Sequence, residues 1–140
     1  MATTQTKIHN LIALDVGDKR VGVAITNTLA RLPRPYVTLV RDDTFWDKLQ
    51  KLMADETITQ LVVGLPRSLD GNETAQTRTT REFIAGLEKH FSITVVTQDE
   101  ALTSRKAEHE LHARGRPFAK GDIDALAATY ILEDYLKDLV

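Results

Sequence analysis

Three carboxylates stand in settings that ask for an explanation. Asp15 sits inside the apolar run Leu11-Ile12-Ala13-Leu14-Asp15-Val16, where an ionised group costs several kcal/mol unless a cation or hydrogen-bond donors compensate it. Glu100 lies just past the run Ile93-Thr94-Val95-Val96, at the carboxyl end of an expected strand, where open α/β sheets place their ligands. Asp124 opens the last helical stretch, and spacings of four, seven and eleven put it on one face with Ala128, Ile131 and Tyr135. If the three converge, they make an oxygen-rich site for hard Mg²⁺ or Mn²⁺. Two such ions about 4 Å apart can activate water and stabilise the leaving oxygen of a phosphodiester.

Each carboxylate also has a plainer explanation. Asp15 can bond the amides of the Gly17-Asp18 turn. Asp99 and Glu100 can form a solvated acidic loop ahead of a helix capped by Thr103 or Ser104, and Asp122 and Asp124 can both serve a helix amino terminus. The case for chemistry rests on the three together. Little else competes: the chain has no cysteine, and His9, His90, His109 and His112 form no HExxH or zinc-type pattern.

Phosphate-binding candidates are Lys19 and Arg20 beside Asp15, Arg67 and Ser68 in the stretch Gly64-Leu65-Pro66-Arg67-Ser68-Leu69-Asp70-Gly71-Asn72, and Arg105 after Glu100. Arg78 with Arg81, Lys106, and the run Arg114, Arg116, Lys120 are further basic groups, each of which could equally be a solvated face.

The elements that must position these side chains follow from periodicity. Leu11–Val16, apolar on both alternating faces, reads as a central strand, and Val21–Thr26 follows closely enough to make a hairpin. Pro33 and Pro35 precede a third strand, Tyr36–Val40. Helix and strand then alternate: a helix over Phe45–Ala54, a buried strand Leu61–Leu65, a helix marked by Phe83, Ile84 and Leu87, a strand Ile93–Val96, a short helix carrying Ala107 and Leu111 that Gly115 and Pro117 close, and a final helix from about Asp122 to Lys137. Three antiparallel strands followed by α-β-α-β-α-α predict a five-stranded mixed sheet, its later strands parallel to the first, with helices on both faces. That is the ribonuclease H-like layout of the α/β class.

The 140 residues, 42% of them hydrophobic, suit one domain, residues 1–140. Eighteen Lys and Arg against 20 Asp and Glu give a net charge of −2, so any attraction for nucleic acid must come from local basic patches. The first residues lack an apolar leader segment and no run approaches the roughly 18 residues of a membrane span. With the missing cysteines, this gives the expectation of a cytoplasmic protein without membrane association.

Four ordered segments also carry a resemblance: Leu14-Asp15-Val16-Gly17-Asp18-Lys19-Arg20-Val21-Gly22-Val23-Ala24, Val62-Val63-Gly64-Leu65-Pro66 with Asp70-Gly71, Asp99-Glu100 with Leu102-Thr103-Ser104, and Asp124-Ala125-Leu126-Ala127-Ala128 with Ile131-Leu132 and Tyr135-Leu136. Together they resemble the YqgF family, Holliday-junction-resolvase-like proteins regarded as nucleases that mature the precursor of 16S ribosomal RNA. The resemblance implies a ribonuclease H-like fold, catalytic and metal-binding carboxylates at Asp15, Glu100 and Asp124, and pre-16S rRNA or branched DNA as substrate, with the protein a monomer or homodimer. One departure is Ala101, where the family usually has arginine after the glutamate. Two other readings compete: a non-catalytic, ribosome-associated nucleic-acid-binding module, and half of an actin-like sugar kinase or ATPase, which would need a duplicated domain that 140 residues do not supply.

Overall fold

The computed structural model describes residues 9–68, 70–100 and 103–139. Strands β1 (Asn10–Val16), β2 (Arg20–Asn27) and β3 (Arg34–Val40) form an antiparallel meander. Helix α1 (Phe45–Asp55), strand β4 (Ile58–Pro66), helix α2 (Ala75–His90), strand β5 (Thr94–Glu100) and helices α3 (Thr103–Ala113) and α4 (Lys120–Asp138) follow. The sheet order is β3-β2-β1-β4-β5, with β4 parallel to β1 and β5 parallel to β4. The expected layout is therefore the one observed.

Alternation along the strands builds two cores, because successive side chains of a strand point to opposite faces. Ile12, Leu14, Val21, Val23, Leu61 and Val63 face Phe45, Leu49, Phe83 and Leu87 of α1 and α2. Leu11, Ala13, Ala24 and Val62 face Ala128, Ile131 and Leu132 of α4. Outside α4, Ala107 and Leu111 of α3 pack on Leu126, Ala127 and Tyr130. Small residues dominate the sheet surface beneath α4, so that helix lies close against the strands.

Several boundaries differ from expectation, each for a local reason. Strand β3 begins at Arg34 and includes Pro35, which has no N–H to donate but stands on an edge strand at a register shift opposite Val23/Ala24. Helix α2 reaches back to Ala75 because Thr74 caps it, its Oγ1 accepting from Thr77 N while Thr77 Oγ1 accepts from Thr74 N. Helix α4 starts at Lys120, two residues before the expected start, with Asp122 Oδ2 accepting from Ala119 N at 2.9 Å. Strand β5 runs on to Glu100, whose partner in the register is Pro66. Glu100 is thus the last residue of a strand and not part of an acidic loop.

Candidate active site

Asp15 shares its strand face with Leu11 and Ala13, the residues that pack beneath α4. Its cross-strand partner is Gly22. A Cβ on Gly22 would stand 2.0 Å from the Asp124 carbonyl oxygen and 2.2 Å from its carbon, so only glycine lets the first turn of α4 settle there. This contact brings Asp124 beside Asp15. The Asp15 carboxyl is raised to about 7, first because burial strips its water and second because the Asp124 charge repels its own. Arg20, at the start of β2, donates from Nε to Asp124 Oδ2 at 2.7 Å and orients that carboxylate.

The helical register expected for α4 holds. Asp124 points with Ala128, Ile131 and Tyr135 toward the sheet, whereas Asp122 is exposed and bonded to the Ala119 amide.

Glu100 lies on the same sheet face as Asp15, since Val62 pairs with Val96, Gly64 with Gln98 and Pro66 with Glu100. It is two strands away, however, which is about 10 Å across a sheet. There it meets Asp134, ten residues beyond Asp124 in α4 and so about 15 Å further along the helix axis. Glu100 is raised to about 8 by burial, then by the hydrogen bond and charge of Asp134, with Lys106 offsetting part of this. Its Oε1 is buried and has no hydrogen-bond partner among the described residues. The structure therefore pairs Asp15 with Asp124 and sets Glu100 against Asp134. Among the described residues, no three His, Cys, Asp or Glu side chains are grouped to hold a metal ion. Ala101, which immediately follows Glu100, and the side chains of Thr103 and Ser104 lie outside the described residues.

The donors present nevertheless suit a hard divalent cation. Asp15 and Asp124 offer carboxylate oxygens in a partly dehydrated place, and a positive charge there would relieve both the burial cost and the mutual repulsion.

The basic residues divide into two sets. Lys19, at the β1–β2 turn, and Arg105, on α3, are exposed. Arg20 and Arg67 are already engaged: Arg67 Nε lies 2.9 Å from Asp99 Oδ1, in an ion pair whose N–H is not aligned on the oxygen, and its backbone bridges to Glu73. Ser68 is also engaged, donating to Asp70, which in turn accepts from the Asn72 amide. The loop after β4 is thus organised by its own polar groups. Gly64 is not part of that loop. It lies in β4, where a Cβ would fall 2.4 Å from Ile131 Cδ1, so its role is to admit α4.

Sequence reasoning overlooked Gly22 and Asp134. A glycine inside the β-branched run Val21-Gly22-Val23 was a readable sign of close backbone approach. Asp134 had no such sign, since its meeting with Glu100 depends on how α4 crosses the sheet.

Residues 9–138 match the RuvX family, described as Holliday junction resolvase. A protein of Sulfurihydrogenibium sp. (strain YO3AOP1) named "Putative pre-16S rRNA nuclease" is 34% identical over 134 residues, spanning 94% of this chain and 92% of its own length. A Maridesulfovibrio salexigens protein of the same name is 36% identical over 130 residues, spanning 90% and 96%. Among solved structures, Thermus thermophilus RuvC in complex with Holliday junction substrate superposes with a TM-score of 0.53 at 14% identity, covering 94% of this chain and 97% of that one. The Fowlpox virus resolvase in complex with Holliday junction DNA gives 0.53 at 12% identity, covering 94% and 99%. At such identities the likeness is one of fold, and it agrees with the ribonuclease H-like layout expected from the order of strands and helices.

Proposed function

The chain belongs to the RuvX family, and from that premise we propose that it is a nuclease that hydrolyses phosphodiesters of pre-16S rRNA during ribosome maturation. Relatives above 30% identity that match along nearly their whole length support RNA as the substrate. Resolvases sharing only the fold support branched DNA as the second reading. The observation that carries a catalytic reading is the Asp15–Asp124 pair, because a carboxyl forced up to about 7 beside a second carboxylate is costly unless a cation is bound.

In this reading Asp15 and Asp124 hold Mg²⁺ or Mn²⁺, and Glu100, whose buried Oε1 has no hydrogen-bond partner among the described residues, supplies the third carboxylate. When bound, such ions activate a water and neutralise charge on the leaving oxygen. The protein's own contribution is positional. Gly22 seats α4, Arg20 fixes the Asp124 carboxylate through Nε, and Asp15 is held by the buried strand β1. To join the pair, Glu100 would have to turn away from Asp134. Lys19 and Arg105, exposed and in no ion pair among the described residues, meet substrate phosphates, and Arg20, Arg67 and Ser68 add contacts from groups already anchored to Asp124, Asp99 and Asp70.

The test is to incubate purified protein with a pre-16S rRNA fragment and a four-way junction DNA in parallel, with Mg²⁺, Mn²⁺ or chelator. Cleavage of the RNA that chelator stops is the expected result. Cleavage of the junction alone transfers the assignment to branched DNA, and cleavage of neither overturns it.

A further inference from the structure

The connection between α3 and α4 encloses a hollow that the proposed catalytic groups do not use. Helix α3 ends where Gly115 takes φ +70°, and the chain then passes through Arg116, Pro117 and Phe118 before α4 begins. The hollow is lined by Pro35, Leu111, Phe118 and Leu126, with Arg114 and Arg116 alongside. Leu111 and Leu126 are buried, while Phe118 stays partly exposed with its ring edge-on to His112 at 4.8 Å. Thr38 Oγ1 donates to the Gly121 carbonyl at 2.6 Å, tying the edge strand β3 to the start of α4 beside it.

We infer that this hollow receives one unpaired nucleobase of the substrate strand, while Arg114 and Arg116 hold the adjoining phosphate. The inference rests on the nuclease reading above and deepens it. Three observations carry it. First, the walls combine an aromatic ring, a proline and leucines, the kind of surface on which bases stack without hydrogen-bond readout. Second, the charge is complementary to a nucleotide. Arg116 is exposed, and Arg114 is held by Glu110 at 3.3 Å, which is itself fixed by the Tyr130 hydroxyl at 2.5 Å. The one acid in the lining, Asp122, is engaged by the Ala119 amide. Third, the hollow and the carboxylate pair flank the same helical turn, since Asp122 and Ala125 line the hollow and Asp124 lies between them in sequence. They lie on opposite sides of that turn, a helix thickness of about 10 Å apart, so a strand that rounds the start of α4 joins the Asp15–Asp124 pair to the hollow within a few nucleotides.

An abasic scan tests this directly. Short single-stranded RNA, and junction DNA with an unpaired arm, are bound to the wild-type protein in chelator by fluorescence anisotropy, each base removed in turn. One position is expected at which losing the base weakens binding roughly tenfold, the scale of base–aromatic stacking. Phe118→Leu, checked by its melting temperature, should bind intact and abasic strands alike. Arg116→Ala, at an exposed site, should weaken both equally and flatten the salt dependence by about one phosphate contact. The wild-type scan needs no variant to fold. A flat scan with tight binding overturns the base pocket and leaves the nuclease reading standing, as does a Phe118→Leu profile identical to wild type. Failure to bind either nucleic acid overturns both. Which of the two strands shows the sensitive position identifies the source of the base.

Discussion

Replacing Asp15 by asparagine should stabilise the metal-free protein, and only above acidic pH. The Asp15 carboxyl moves from 3.8 to about 7 on folding. A rise of about three units corresponds to roughly 4 kcal/mol at 1.36 kcal/mol per unit. The sign follows from proton binding. Between the two values the folded state holds a proton that the unfolded state releases, so stability falls as pH rises from about 4 to about 7 and the full cost is present above that. Asparagine keeps the shape without the charge, so the variant escapes this cost, and the other titrating groups cancel in the comparison. Allowing for relaxation and water entry, the expected gain near pH 8 in chelator is about 2–4 kcal/mol, or roughly 10 °C in melting temperature for a domain of this size. Near pH 4 the two proteins should melt together. Saturating Mg²⁺ should narrow the gap at pH 8, because an ion that binds only the folded wild type stabilises it by mass action. Thermal melts at three pH values, with chelator and with Mg²⁺, measure all of this. Equal melting temperatures near pH 8 in chelator, or a gain just as large near pH 4, would refute the claim that a buried charge beside Asp124 is responsible.

Further expectations follow from the same geometry. Asp124→Asn should remove most metal-dependent cleavage, whereas Asp122→Asn, which keeps an acceptor for the Ala119 amide, should change rate and melting temperature little; equal loss in both variants would contradict the observed register of α4. Gly22→Ala should cost about 1–3 kcal/mol or more and abolish activity by lifting α4 from the sheet, whereas Gly86→Ala, whose Cβ would meet only the Trp46 ring at 3.4 Å within α2, should be neutral or stabilising. Chemical denaturation of the two side by side decides it. Affinity for single-stranded RNA should fall with salt at a log–log slope of about −2.1 if Lys19, Arg105 and the Arg114–Arg116 contact meet phosphates, and about −3.5 if Arg20 and Arg67 also join, at about −0.7 per contact; a flat response would show that no basic rim exists.

What was legible in the sequence was whatever depends on local periodicity. The alternation in Leu11–Val16 and Val21–Thr26 marked the two central strands because a buried sheet needs apolar residues on both faces, and the spacing of Asp124, Ala128, Ile131 and Tyr135 predicted which side of α4 faces the sheet. Asp15 declared itself for the same reason, as a charge where the pattern demands none. Strand ends were less readable. Nothing in Thr97-Gln98-Asp99-Glu100 alternates in hydrophobicity, yet the ladder to β4 continues to Pro66 and carries Glu100 into the sheet. Hydrogen bonds to a neighbouring strand extend an element beyond its own apolar signal. The pairing of carboxylates was decided only in three dimensions. Asp124 meets Asp15 because Gly22 and Gly64 leave room for α4, and Glu100 meets Asp134 because α4, once seated, crosses toward β5 at a height set by that same contact. A sequence lists its acids, but which of them share a charge environment depends on the angle and depth of one helix on one sheet, and those are fixed by the packing of residues that carry no charge at all.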